Sequence, residues 1–179
     1  MTGPGIPEHD RSMHASAVLV GDRAVLIRGP SGAGKSRLAM ELIWAGQTGP
    51  IDAAMLVGDD RVHLAARDGR LWVRPAPALA GLIEIRGLGI RRVDHAASAI
   101  VRLVVDLDAP DAARLPPASA LRTMIDGVEV WRIPVGAGFA ALPLVLAALT
   151  TTEGATSPQV PDDCPKEIGN HISPTIATE

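Results

Sequence analysis

Aromatic side chains are scarce in this sequence, which has three tryptophans, one phenylalanine and no tyrosine among 179 residues. Proteins that bind single-stranded nucleic acid stack bases on such rings, so the composition argues against that function. The pI of about 5.9 argues against it as well, because nucleic-acid-binding domains are usually basic. We therefore expect no nucleic acid among the partners.

Cysteine and long hydrophobic segments are also nearly absent. The single cysteine, Cys164, has no disulfide partner within the chain, which fits a reducing compartment. The longest apolar run, Phe139 to Leu149, has eleven residues and contains Pro143. A membrane-spanning helix needs about 20 apolar residues. The first residues are polar or Pro/Gly where a secretory signal would be apolar. These features predict a cytoplasmic protein with no membrane segment.

Lysine is rare too, since the chain has only Lys35 and Lys166, while fifteen arginines carry the other positive charges. Residues 151–179 contain one basic residue, Lys166, and five acidic residues. They are also rich in Thr, Ser and Pro and show no apolar periodicity. Such a composition predicts a disordered acidic tail. Residues 1–12 predict a flexible leader, which leaves 13–150 as one domain.

Short apolar runs alternate with turn residues in this domain. Turns at Gly21-Asp22, Asp68-Gly69 and Asp126-Gly127 separate such runs and predict hairpins. After residue 36 the apolar residues recur at helical spacing, and Gly46 is the expected end of that helix. A last helix is expected over roughly 139–149. Strands outnumber helices and tight turns join several of them, so we predict an α/β domain with a mixed sheet.

A glycine-rich segment between a strand and a helix has the spacing of a phosphate-binding loop. Residues 29–36 match G-x-x-x-x-G-K-S. In this motif backbone N–H groups and a helix N-terminus hold phosphate oxygens, the lysine bridges the β- and γ-phosphates, and the final hydroxyl ligates Mg²⁺. The sequence therefore predicts a nucleoside triphosphate cradle formed by Gly29, Pro30, Ser31, Gly32, Ala33, Gly34, Lys35 and Ser36.

Acidic residues at two strand ends are candidates for the metal ligand and the general base. Asp106 ends the apolar run 101–105, as a generic P-loop ATPase requires. Asp59 and Asp60 follow the run 55–57, and in such a pair one carboxylate could hold the ion while the other accepts a hydroxyl proton. The residues alone do not decide whether Asp106 or the Asp59-Asp60 pair supplies the functional acid. They also leave open that the pair is only a solvated turn.

Four segments read together resemble the catalytic domain of HPr kinase/phosphorylase. The resemblance covers roughly residues 13–133 and is to the short alphaproteobacterial type, which lacks the N-terminal domain of the long enzymes. It implies a P-loop fold shared with phosphoenolpyruvate carboxykinase. It also implies an ATP- and Mg²⁺-dependent serine kinase, with or without the reverse phosphorylase activity, acting on HPr or an HPr-like phosphocarrier. The segments are Met13-His14-Ala15-Ser16, Gly29–Ser36, Gly58-Asp59-Asp60-Arg61-Val62 and the most specific one, LIEIRGLGI over 82–90.

The resemblance also implies roles for individual residues. Asp60, with Asp59 beside it, would take the proton from the substrate serine, and Glu84 would join Ser36 in holding Mg²⁺. Arg114 aligns with an arginine that reaches the phosphates from a neighbouring subunit, so a homo-oligomer is expected, a hexamer in the long members. The candidate catalytic residues are His14, Lys35, Asp59, Asp60, Arg86 and Arg114, and the candidate metal ligands are Ser36 and Glu84.

The sequence departs from the long enzymes at several places. Arg37 stands where they have an acid, six extra residues lie around Gln47–Asp52, and the uncharged Gly136–Phe139 replaces a basic glycine loop. Their C-terminal helices have no counterpart beyond about residue 150. Two rival functions follow: a generic ATPase or small-molecule kinase that uses Asp106, and a non-enzymatic nucleotide-binding regulator.

Overall fold

The computed structural model describes residues 10–152, so the predictions for 1–9 and 153–179 lie outside the described residues. Residues 11 and 12, assigned to the leader above, belong to the first strand. No helix within the described range is long and apolar enough to cross a membrane. The helices are α1 (Lys35–Thr48) and α2 (Ala141–Thr150). The strands are β1 (Arg11–Met13), β2 (Ser16–Val20), β3 (Arg23–Arg28), β4 (Ala54–Gly58), β5 (Val62–Arg67), β6 (Arg70–Pro75), β7 (Leu82–Ile85), β8 (Gly89–Arg92), β9 (Ala99–Leu107), β10 (Arg122–Ile125) and β11 (Val128–Val135).

The three hairpins expected from the sequence are confirmed as β2–β3, β5–β6 and β10–β11. Asp68 and Gly69 show why the turns were readable, since both have positive φ, 49° and 69°. Two-residue hairpin turns need such angles, and Asp and Gly tolerate them. A fourth hairpin, β7–β8, carries the LIEIRGLGI segment.

A nine-stranded sheet organises the domain in the order β1-β5-β6-β9-β3-β2-β4, with β11 and then β10 beside the second half of β9. Strand β9 runs parallel to β3 and β11, while the remaining pairs are antiparallel, so the mixed sheet is confirmed. Because β2 is antiparallel to both β3 and β4, those two strands point the same way. The carboxyl ends of β3, β4 and β9 therefore meet at one edge of the sheet, where ligands bind in open α/β sheets.

Two hydrophobic clusters cover the two faces of this sheet. In β3, Val25 and Ile27 pack into the cluster beneath α1 and α2, whereas Ala24 and Leu26 pack into the cluster on the opposite face. Successive side chains of a strand point to opposite faces, so an apolar run without alternation is expected for a strand buried on both sides. This double burial holds the carboxyl end of β3 in place.

The expected end of α1 at Gly46 is wrong, because the helix continues to Thr48. Gly49 ends it in a left-handed conformation with φ 93°, and its N–H donates to the Ala45 carbonyl over 3.1 Å. Gly46 has a different purpose, since a Cβ built there would lie 2.5 Å from the backbone nitrogen of Ala54 in β4. The missing side chain lets α1 approach the strand that leads to Asp59.

We expect Gly46→Ala to destabilise the protein by about 1–3 kcal/mol, because the backbone of β4 must move to admit the methyl group. Helix propensity alone predicts the opposite sign, a gain of about 0.5–1 kcal/mol. Urea unfolding followed by circular dichroism measures the difference. The exposed neighbour in the same helix provides the control Gln47→Ala, expected within about 0.5 kcal/mol of the parent.

Candidate active site

The phosphate cradle lies between the end of β3 and the start of α1. Gly34 immediately precedes the helix with φ 97°, an angle that side chains rarely adopt. At Gly29 a Cβ would come within 3.1 Å of the Leu107 carbonyl oxygen, so the loop passes close to β9 only because this residue is glycine. The first turn of α1 then offers N–H groups with no partner inside the helix, which favours an anion at this position.

Lys35 is folded into the cradle. Its side chain is buried, and Nζ donates to the carbonyl oxygens of Gly29 and Pro30 over 3.0 and 2.9 Å. Burial lowers the pKa of Lys35, although the negative charges of Asp59 and Asp60 act in the opposite direction. The ammonium group is thus held at the loop where phosphate charge would have to be neutralised.

Asp59 connects the cradle to two other strands. Its buried carboxylate accepts hydrogen bonds at Oδ1 from the hydroxyls of Ser16, over 2.5 Å, and Ser36, over 2.9 Å. Oδ2 accepts the backbone N–H of Glu84 over 3.1 Å. The position of Ser36 is therefore determined by an acid at the end of the neighbouring strand β4.

Ser16 is a site residue that the sequence analysis did not single out. Its side chain is fully buried at the start of β2, in a strand whose other residues are apolar. A buried hydroxyl in such a strand requires a polar partner. A serine in an otherwise apolar strand was the signal that could have identified Ser16. The sequence does not show its partner, because Asp59 lies 43 residues away.

Asp60 points the other way from Asp59. It is exposed, has the positive φ of 61°, and its Oδ1 lies 3.2 Å from Nε2 of His14. The adjacent carboxylates therefore have different environments, one buried and hydrogen-bonded to serines, the other open to solvent and beside an imidazole. Of the two carboxylates, only that of Asp60 is open to solvent.

The donor set here fits Mg²⁺, although residues 10–152 contain no group of three His, Cys, Asp or Glu side chains that would form a metal site unaided. Magnesium in nucleotide sites needs one or two protein ligands, with phosphates and water completing an octahedron. The Ser36 hydroxyl and the Asp59 carboxylate, which are hydrogen-bonded to each other, could serve as such ligands. Glu84, the other ligand implied by the resemblance, is exposed, and its backbone N–H donates to Asp59; its role as a metal ligand stays a prediction.

The two arginines expected at the site, Arg86 and Arg114, lie in different surroundings. Arg86 lies over the cradle, since a Cβ built on Gly32 would be 3.8 Å from its Nη2 atom. Arg114 is exposed in the loop between β9 and β10. The first arginine is therefore beside the phosphate-binding loop of its own chain, whereas the second faces outward.

Asp106 lies at the same edge of the sheet but is occupied by ion pairs. Its Oδ1 is 2.6 Å from Arg28 Nε, and its Oδ2 accepts hydrogen bonds from Arg28 Nη2 at 2.7 Å and from Arg132 Nε at 2.5 Å. Burial by itself raises the pKa of Asp106, but the hydrogen bonds and charges of the two arginines outweigh it and hold this pKa below the ordinary value. Both oxygens are engaged, so this carboxylate is a structural anchor rather than a free metal ligand.

We expect Asp106→Asn to lower the free energy of unfolding by about 2–4 kcal/mol, because Arg28 loses the carboxylate it pairs with and Arg132 loses one of its two. A depressed carboxyl pKa stabilises the fold above the unfolded-state value of about 4, and that contribution disappears as the pH falls through the folded-state value. The free energy of unfolding of Asp106→Asn should therefore differ most from that of the parent at neutral pH, and the difference should shrink below about pH 4. Denaturant unfolding across this pH range measures it. Asp111→Asn, which removes an exposed partner of Arg132, should have a smaller effect.

Comparison with known proteins gives a consistent result. Residues 8–149 match the family model of the HPr serine kinase C-terminal domain. Proteins called HPr kinase/phosphorylase are similar over 80 residues, with 46% identity in Streptococcus thermophilus and 44% in Streptococcus pneumoniae. That alignment takes 44% of this chain and spans about a quarter of the length of those curated relatives.

A solved structure is similar over more of the chain. The Hpr(Ser) kinase/phosphatase from Coxiella burnetii superimposes with a TM-score of 0.62 and 28% sequence identity, covering 78% of this chain and 93% of that one. The likeness therefore extends over about three quarters of the chain.

Proposed function

Since the chain belongs to the HPr serine kinase C-terminal domain family, we propose that it is an ATP- and Mg²⁺-dependent kinase that phosphorylates a serine of HPr or an HPr-like phosphocarrier. The proposal includes residues 13–150 as the kinase domain, the P-loop fold of the phosphoenolpyruvate carboxykinase kind, and a cytoplasmic location. The names of the relatives and of the Coxiella structure support the activity.

The observation that carries this proposal is the difference between the surroundings of Asp59 and those of Asp60. Asp59 is buried against the Ser36 hydroxyl, where a metal ligand is needed, while Asp60 is exposed beside His14, where an incoming hydroxyl can approach. Asp60 would accept the proton of the substrate serine as its oxygen attacks the γ-phosphate. Lys35 and Arg86 would balance the charge of the phosphates, and bound Mg²⁺ would supply further charge neutralisation.

We also propose that Arg114 serves a neighbouring subunit of a homo-oligomer, by resemblance a hexamer. Its exposure and its position in the loop between β9 and β10 support that assignment. An arginine reaching transferred phosphate from another subunit would make activity depend on assembly. Activity per chain should then fall on dilution below the assembly concentration.

Incubation with γ-labelled ATP, Mg²⁺ and HPr tests the activity. Label on HPr that is stable to acid and released by alkali identifies serine phosphate and supports the kinase. ATP loss without labelled HPr would instead support an ATPase or small-molecule kinase, and nucleotide binding without turnover would support a regulator. Asp106, the acid expected in the generic ATPase, has both oxygens bound by arginine, which counts against that rival.

The reverse reaction is expected to be slow. In the long relatives a basic glycine loop would hold the phosphocarrier and inorganic phosphate, whereas Gly136, Ala137, Gly138 and Phe139 carry no charge here and three of them are exposed. Without a cation beside a doubly charged phosphate, the charge-assisted hydrogen bonds are missing. Serine-phosphorylated HPr with phosphate and Mg²⁺, but no ATP, should release pyrophosphate far more slowly than the forward reaction proceeds. Comparable rates would contradict this prediction.

A further inference from the structure

A second cavity lies on the part of the sheet formed by β1, β5 and β6. Its volume is about 320 Å³, which is enough for a small molecule. Alternate residues of β5 face it, because His63, Ala65 and Arg67 share one face of that strand, while Leu64 on the other face is in the core. The polar and aromatic side chains that surround it are Asp10, His63, Arg67, Trp72, Arg74 and Ser98. Neither the cradle nor Asp59 and Asp60 contributes to it.

Unsatisfied polar atoms concentrate in the residues that line this cavity. Within residues 10–152, four buried side-chain nitrogen or oxygen atoms lack a hydrogen-bond partner: Asp10 Oδ1, His63 Nδ1, and Nε and Nη2 of Arg67. All belong to residues that line this one cavity. An unsatisfied buried group costs about 1–3 kcal/mol, and more when it is charged, so native proteins have few of them. Their presence in a single place indicates a binding site rather than scattered packing defects.

The chemistry of these atoms identifies a class of ligand. Nε and Nη2 form one edge of the Arg67 guanidinium, the edge that holds a carboxylate or a phosphate through two parallel hydrogen bonds. Asp10 is nine-tenths buried, and Arg74 donates to its Oδ2 over 2.7 Å, so its unpartnered Oδ1 calls for a hydroxyl or ammonium donor. With two arginines against one aspartate, the cavity carries an excess of positive charge that favours an anion.

We propose that this cavity binds a small oxyanion that carries a hydroxyl or amino group, with the carboxylate or phosphate on Arg67 and the donor group on Asp10. Trp72 provides an apolar wall for the carbon skeleton. The site is independent of the proposed phosphoryl transfer, because none of its residues touches the cradle. Loss of activity and loss of this ligand can therefore be measured separately.

Titration calorimetry on the full chain tests the proposal with three probes. L-malate represents a hydroxy carboxylate, glycerol 3-phosphate a hydroxy phosphate, and succinate is a dianion without the donor group. We expect malate or glycerol 3-phosphate to bind with a dissociation constant below about 1 mM, and succinate to bind at least tenfold more weakly than malate if the carboxylate is preferred. Binding should persist in Lys35→Ala, which excludes the cradle as the source of the signal.

Variants of the cavity complete the test. Arg67→Gln and Asp10→Asn should each weaken binding of the preferred probe at least tenfold, whereas Arg70→Gln, an exposed arginine opposite Arg67 that does not line the cavity, should leave it unchanged. Thermal unfolding without probe should show Arg67→Gln folded and no less stable than the parent, since this guanidinium edge has no partner to lose. Failure of both hydroxylated probes to bind at about 10 mM, or equal binding by parent and Arg67→Gln, would overturn the proposal.

Discussion

Lys35→Ala is expected to abolish phosphoryl transfer, with a loss of at least about 10²–10³-fold in kcat. The ammonium group lies within the loop, 3.0 Å from the Gly29 carbonyl oxygen, where it is ready to meet the β- and γ-phosphates. Lys35→Arg should restore little, because a planar guanidinium cannot take the place of a compact charge in a buried position. Initial rates of HPr phosphorylation at saturating ATP give the measurement.

The next charged residue of the same helix provides a matched control. Arg37 is exposed and pairs with Glu41 one turn later, so Arg37→Ala removes an equal charge without altering the cradle. Its rate should stay within about threefold of the parent, because exposed pairs of this kind contribute little. Turnover of Lys35→Ala within tenfold of the parent would contradict a nucleotide site at residues 29–36.

Asp60→Asn is expected to lower kcat by about 10²–10⁴ while leaving nucleotide affinity largely intact. The carboxylate is exposed and does not hold Ser36, so its loss removes a proton acceptor and spares the cradle. Asparagine tolerates the positive φ of 61° as well as aspartate does, which keeps the backbone unstrained. Steady-state kinetics with HPr, together with titration of an ATP analogue, separate the two effects.

Two other aspartates test whether the effect is specific to Asp60. Asp68 is exposed in the β5–β6 turn and also has positive φ, so Asp68→Asn makes the same chemical change at an equivalent backbone position and should be silent. Asp106→Asn should lower stability, as argued above, and retain most of the activity below its melting temperature. A large loss of kcat in Asp106→Asn with near-normal Asp60→Asn would favour the generic ATPase instead.

Features that depend on nearby residues were predictable from the sequence. The cradle, the hairpin turns at Gly21, Gly69 and Gly127, and the strand leading to Asp59 each depend on a few adjacent residues with strong backbone preferences. Glycine and aspartate in two-residue turns leave few alternatives for the chain. The family could be read from four short segments for the same reason, and residues 8–149 match its model.

The end of α1 shows where local reasoning fails. From the sequence, Gly46 is expected to end the helix. In the structure it lies inside the helix, where its missing side chain allows close packing against Ala54, and Gly49 ends the helix instead. Glycine has two uses, a left-handed cap and a close approach between elements, and only the position of the neighbouring strand distinguishes them.

The sequence by itself determined that the chain has a phosphate cradle followed by an acidic pair, because both motifs are continuous. Only the tertiary structure decided which of these acids is buried, which is exposed and which is held by arginines. Asp59 is buried against Ser16, 43 residues earlier in the chain, and Asp106 is bound by Arg28, 78 residues earlier. The same holds for the cavity around Arg67, whose lining comes from several separate segments. Burial and charge pairing depend on which distant strands become neighbours, and composition and spacing along one chain carry no record of that pairing.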